Sequence, residues 1–168
     1  ASADIARYCF GCRCAASRCA VATIHIMQTM NDIVLFDTAE RHDNLLPLSF
    51  TRPVADFRVG ITTIAEKWKA ATSADAVLYA PVDYLRPKFA PSPLPGGEHL
   101  FVAGNVIPDA ALVNAAEKLT AGQGLAADDG ALVAFRGTAA DFEARSYTPI
   151  IYKGDITAVR YVFDIFRL

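Results

Sequence analysis

Residues Met30 to Trp68 read MNDIVLFDTAERHDNLLPLSFTRPVADFRVGITTIAEKW. Ile33-Val34-Leu35-Phe36 is an uninterrupted apolar run of strand length, as expected of a strand buried on both faces. The polar stretch Asp37 to Asn44 reads as a loop. Leu45 to Pro53 is too broken by Pro47 and Pro53 to be a helix interior. From Val59 the apolar residues Ile61, Ile64, Ala65 and Trp68 recur at three- and four-residue spacing, which predicts a helix. A buried first strand, a loop over its carboxyl end and a packed helix make the usual ligand-binding corner of an open α/β sheet.

Working outward, the helix is expected to end near Ala71, and Ala76 to Ala80 reads as a second strand. Val82 to Lys88 forms a turn or short helical piece. Pro87, Pro91, Pro93, Pro95 and Gly96-Gly97 mark a surface loop. His99 to Ala103 is a third strand, closed by Gly104-Asn105. Pro108-Asp109 opens a helix running to about Leu119, with proline early and acid in the first turn. Ala121 to Gly124 ends it. Leu125 to Ala127 and Ala131 to Phe135 pair across an Asp128-Asp129-Gly130 turn. Thr138 caps a short helix through Ala144. Pro149 to Tyr152 and Ile156 to Val162 read as further strands. This alternation favours one α/β domain with no internal repeat.

The chain has 168 residues, enough to bury a real core. A formal net charge of −2 argues against nucleic acid as the main partner, because backbone-phosphate binding needs a basic face. No apolar run approaches the ~18 residues of a membrane span, so no membrane partner is expected. All four cysteines, Cys9, Cys12, Cys14 and Cys19, lie in the first nineteen residues. Their spacing either supplies thiolates to a metal or redox site or belongs to an extension, residues 1–29, upstream of the true start at Met30. The rest of the chain has no cysteine, which fits a reducing cytoplasm.

The segment Asn44 to Ile61, with its strand and loop before it, resembles sugar nucleotidyltransferases related to N-acetylglucosamine-1-phosphate uridyltransferase and glucose-1-phosphate thymidylyltransferase. It is most similar to a divergent branch in which such a domain precedes a left-handed β-helix. Ala103 to Pro108 and Tyr161 to Phe166 are weaker echoes. The resemblance implies a Rossmann-like nucleotidyltransferase fold over 30–168, with a mixed, mostly parallel sheet flanked by helices. It also implies a C-terminus cut short of the β-helix through which such chains oligomerise. The implied reaction transfers NMP from an NTP to a hexose or hexosamine 1-phosphate, with Mg²⁺ as cofactor. Two features depart from that family. The loop after the first strand, Asp37 to Asn44, has no glycine and carries Asp37, Glu40 and Asp43. Pro53-Val54 stands where the enzymes have Pro-Lys. The alternative is an inactive module that binds a nucleotide sugar or packs against a β-helix acyltransferase.

Candidate residues follow. Arg52 and Arg58 are the catalytic candidates, because arginine is a good bidentate phosphate donor. The alternative is a pair of salt bridges, with Asp56 as one partner. Asp37 ends the first strand, a place for a ligand group or for a turn-capping side chain. Asn105 either binds sugar hydroxyls, helps define a metal site or is an ordinary Gly-Asn turn residue. Thr51 and Asp56 join Asp37 and Asn105 as the implied substrate-binding residues, and no metal ligands are assigned. His42 and His99 are expected at the surface, and Asp128 and Asp129 are explained by the hairpin. Gly122-Gln123-Gly124 follows a helix, so it lacks the strand-to-helix context of a dinucleotide fingerprint.

Overall fold

A computed structural model describes residues 32–90, 94 and 96–168. The cysteine cluster and part of the proline-rich loop lie outside the described residues. The strands in chain order are β1 (Ile33–Phe36), β2 (Arg58–Val59), β3 (Thr62–Thr63), β4 (Val77–Ala80), β5 (His99–Ala103), β6 (Gln123–Ala126), β7 (Leu132–Gly137) and β8 (Thr148–Ile151). The helices are α1 (Ala39–Asn44), α2 (Ile64–Thr72), α3 (Arg86–Phe89), α4 (Ala110–Glu117) and α5 (Ala139–Glu143).

Six strands form one mixed sheet in the order β4-β1-β5-β7-β6-β8. β1 pairs in parallel with β4 and β5, and β6 pairs in parallel with β8. β7 runs antiparallel to both β5 and β6. This is the α/β architecture expected, with helices against the sheet. All four β1 residues are buried, consistent with a strand that has a neighbour on each side and cover on each face. Register places Val34 opposite Phe101, and Phe101 opposite Phe135. Phe142 of α5 stacks on Phe101 with ring centroids 4.4 Å apart, and also meets Phe36 and Phe135. Trp68 of α2 is fully buried and its Nε1–H donates to the Val106 carbonyl at 2.7 Å.

Several expectations are corrected. The polar stretch after β1 is not a loop but α1. Thr38 caps it by accepting from the Arg41 N–H, Glu40 sits in its first turn, and Arg41 and His42 sit in its last. Those charges suit the helix dipole. The helix predicted from Val59 starts at Ile64, where Thr63 and Glu66 form a capping box. Val59 belongs instead to the β2–β3 ribbon, which turns at Gly60 with φ of 77°. Ile61 at its tip is 89% exposed. The helix opened by Asp109 stops at Glu117, and Gln123-Gly124 belong to β6 rather than to a helix end. No strand runs over 156–162. A single bridge joins Val106 to Ala158, and a 3₁₀ turn spans Val162–Phe166. His42 and His99 are buried, at 5% and 4% exposure, because α1 and β5 turn them inward.

Leu35→Ala should therefore cost about 2–5 kcal/mol of stability, the usual range for a fully packed leucine. Ile61→Ala should change it by less than about 0.5 kcal/mol. Urea denaturation of both variants checks the pair, and the helix-from-Val59 reading would have made the second costly as well.

Candidate functional site

The chain leaves β1 through α2 toward β4 on one side. It then passes across β1 to lay β5 on the other. The carboxyl ends of β1 and β5 thus flank a switch point, where open α/β sheets bind ligands. Because β7 is antiparallel to β5, with Val102 opposite Ala134, the β6–β7 turn comes to the same end of the sheet. A cavity of about 520 Å³ opens there. Its walls include Thr38 and Arg41 of the first βα turn, Asn105 after β5, and Asp129 of the hairpin. Arg145 and Arg160 complete a set of three arginines around it.

Each arginine reaches the cavity by a different device. Arg41 is carried by α1, and its Nη2–H donates to the Leu132 carbonyl at 3.3 Å. Its Nη1 is buried without a hydrogen-bond partner. Burial pulls its pKa down, while Asp129, Glu40 and Asp37 hold the charge in place and Arg160 opposes it. Arg145 follows α5 in the left-handed region, with φ of 51°. Such a conformation is unusual for a residue with a β-carbon. Arg160 is delivered by the segment that lies along 105–107. Ile107 N–H donates to Thr157 O, Val159 N–H donates to Asn105 O, and Asn105 Nδ2 donates to Val159 O. Asp164 then caps the turn by accepting from the Arg160 and Tyr161 N–H groups, each at 2.9 Å.

Asn105 is 4% exposed and its Oδ1 has no hydrogen-bond partner. An unsatisfied buried acceptor is costly unless a ligand or water donates to it. The cavity therefore combines an unpartnered donor on Arg41, an unpartnered acceptor on Asn105 and two further cations. It suits an anion that also carries a hydroxyl or N–H.

Asp37 lies at the end of β1 but is spent on structure. Its Oδ2 accepts the Val54 N–H at 3.1 Å. Its Oδ1 packs so closely on Gly104 that a β-carbon there would sit 2.8 Å away. Burial raises its pKa to about 6, against the opposing pull of the Val54 hydrogen bond and Arg41. Arg52, Thr51 and Arg58 do come together, around a separate cavity of about 400 Å³ with Leu48, Phe57 and Ile165. Arg58 there donates to the Ile61 carbonyl at 3.3 Å, closing the β2–β3 turn. Asp56 ends the 3₁₀ turn Val54–Asp56 and is half-buried. Among the described residues, neither Arg52 nor Arg58 forms a salt bridge with Asp56. Two site groups thus exist: Asn105 lines the crevice, Thr51, Arg52 and Arg58 line the separate cavity, and Asp37 lines neither. Sequence reasoning missed Arg41, Arg145 and Arg160. Arg41 sat in a stretch read as an acidic loop, Arg145 beyond a helix end and Arg160 in a strand that does not form.

Residues 33–168 match the family model described as sugar nucleotidyl transferase. No curated protein matches the sequence.

The raised pKa of Asp37 makes a pH prediction. A carboxyl held above its unfolded value contributes most below about pH 4, and that contribution is lost as pH rises through about 6. Asp37→Asn keeps the acceptor for Val54 and cannot ionise. It should gain on the wild type between pH 4 and 6, by on the order of 2–3 kcal/mol. Urea midpoints across that range check this, and a constant difference would mean the carboxyl is ordinary.

Proposed function

Since the chain belongs to the sugar nucleotidyl transferase family, we propose that the crevice between β1 and β5 binds an NTP and a hexose or hexosamine 1-phosphate. In the proposed reaction an oxygen of the sugar phosphate attacks the α-phosphorus of the NTP. The new P–O bond forms as the bond to the β-phosphate oxygen breaks, and pyrophosphate leaves. Little covalent work falls to the protein in such a transfer, which depends on positioning and on charge placed around the phosphates. The arrangement of Arg41, Arg145 and Arg160 around one cavity is the observation that carries this reading. In it these arginines hold phosphate oxygens, and Asn105 Oδ1 accepts from a sugar hydroxyl or base N–H.

The residues singled out first take secondary parts in this proposal. Asp37 positions the Val54 turn beside Gly104 at the end of β1. Arg52, Thr51 and Arg58, with Asp56 nearby in the same turn-rich segment, form a peripheral cleft outside it. Binding without turnover is the second reading. It is favoured by the engaged Asp37 carboxylate and by a first βα turn built from a helix rather than a glycine-rich loop. Pyrophosphate release separates the two readings.

Thermal unfolding with a panel of NTPs, sugar 1-phosphates and nucleotide sugars tests the site. A ligand at a hundred times its Kd should add about 2.7 kcal/mol of stability. The selective shift should vanish in Arg160→Ala and survive in Arg52→Ala. A shift lost in Arg52→Ala but kept in Arg160→Ala would move the site to the peripheral cleft.

A further inference from the structure

We infer that the crevice neutralises the phosphates of its ligand with Arg41, Arg145 and Arg160 instead of a protein-held magnesium ion, so that it binds a diphosphate group without divalent cation. The inference rests on the phosphate-binding reading above and names the countercharge at that same site.

Magnesium at phosphate sites is held octahedrally by oxygens, with one or two protein carboxylates joined by substrate phosphates and water. The residues here fit that set poorly. The two groups that close the carboxyl ends of β1 and β5 are Asp37 and Asn105. Asp37 is not part of the cavity lining, and one of its oxygens accepts the Val54 N–H. Asn105 is a neutral amide, and its Nδ2 is committed to Val159. Asp129 also lines the cavity, but its Oδ1 accepts the Ala131 N–H at 2.9 Å and its Oδ2 faces Arg160 at 3.9 Å. Glu40 is the remaining wall carboxylate, exposed in the first turn of α1. Among the described residues no group of three or more His, Cys, Asp or Glu could hold a metal ion.

The cations, by contrast, converge on the cavity. Three separate segments each deliver one arginine to a single cavity. Arg41 keeps a buried Nη1 unpartnered, and Arg145 holds the left-handed conformation that glycine or asparagine would adopt more readily. A backbone outlier of this kind next to a cavity is a reason to look for function there. Guanidinium forks match phosphate oxygens bidentately and remain charged at all relevant pH.

Inorganic pyrophosphate is the probe, because it needs neither base nor sugar. Calorimetric titration of the full chain should show binding in EDTA, and excess Mg²⁺ should not tighten it. Arg145→Asn suits the left-handed backbone, so its unfolding midpoint should not fall, yet its affinity for pyrophosphate should drop about tenfold. Arg160→Ala should act in the same direction. Binding seen only with Mg²⁺ overturns the inference, as does binding in EDTA that both variants leave within twofold, or silence in both conditions. If pyrophosphate binds in EDTA while no NTP or sugar phosphate shifts the unfolding midpoint, the sugar-transfer reading falls and the metal-free diphosphate site stands.

Discussion

Strand β1 has neither a free edge nor a free face, and that confinement organises the rest of the molecule. Its four apolar residues are paired in register with β4 on one side and β5 on the other. Such a strand must end where the sheet ends. The chain emerges at Asp37 with the backbone of β5 directly alongside, as the Gly104 N–H to Phe36 O bond at 2.9 Å shows. A β-carbon at 104 would sit 2.8 Å from Asp37 Oδ1, so any larger residue there displaces that carboxylate. The same carboxylate draws in the Val54 turn. The carboxyl end of β1 is therefore fixed by one half-buried acid, one glycine and one backbone N–H.

The walls of the crevice beside it are built from separate parts of the chain. α1 supplies Arg41 because Thr38 stops the strand and caps a helix. The β6–β7 turn supplies Asp129 because β7 runs antiparallel to β5. The 157–159 segment supplies Arg160 because it is pinned along 105–107 by backbone and Asn105 hydrogen bonds. The crevice results from the order of strands more than from any motif. Arg41, Arg145 and Arg160 share its walls with two carboxylates, Glu40 and Asp129.

The sheet was largely legible in the sequence. The runs 33–36, 76–80 and 99–103 and the Asp128-Asp129-Gly130 hairpin announce themselves by apolar continuity and turn chemistry. The capped helices after Thr138 and Asp109 do so through their caps. What failed did so for identifiable reasons. A six-residue helix rich in charge, α1, has no apolar period to reveal it, and only its Thr38 cap gives it away. The helical spacing from Val59 was a coincidence of Ile61, which lies exposed on a ribbon tip. Ile156 to Val162 has the residues of a strand but finds only one bridge. The site was legible in part. Asn105 follows from the end of a strand, whereas Arg41, Arg145 and Arg160 share no sequence pattern. Only tertiary structure brings them together.

The most direct test of the crevice as the ligand site is a crystal structure with a bound nucleotide sugar. The account predicts the diphosphate between Arg41, Arg145 and Arg160, with a hydroxyl or N–H of the ligand donating to Asn105 Oδ1. Diphosphate seated on Arg52 and Arg58 instead, with the β1–β5 crevice filled by water, would contradict it.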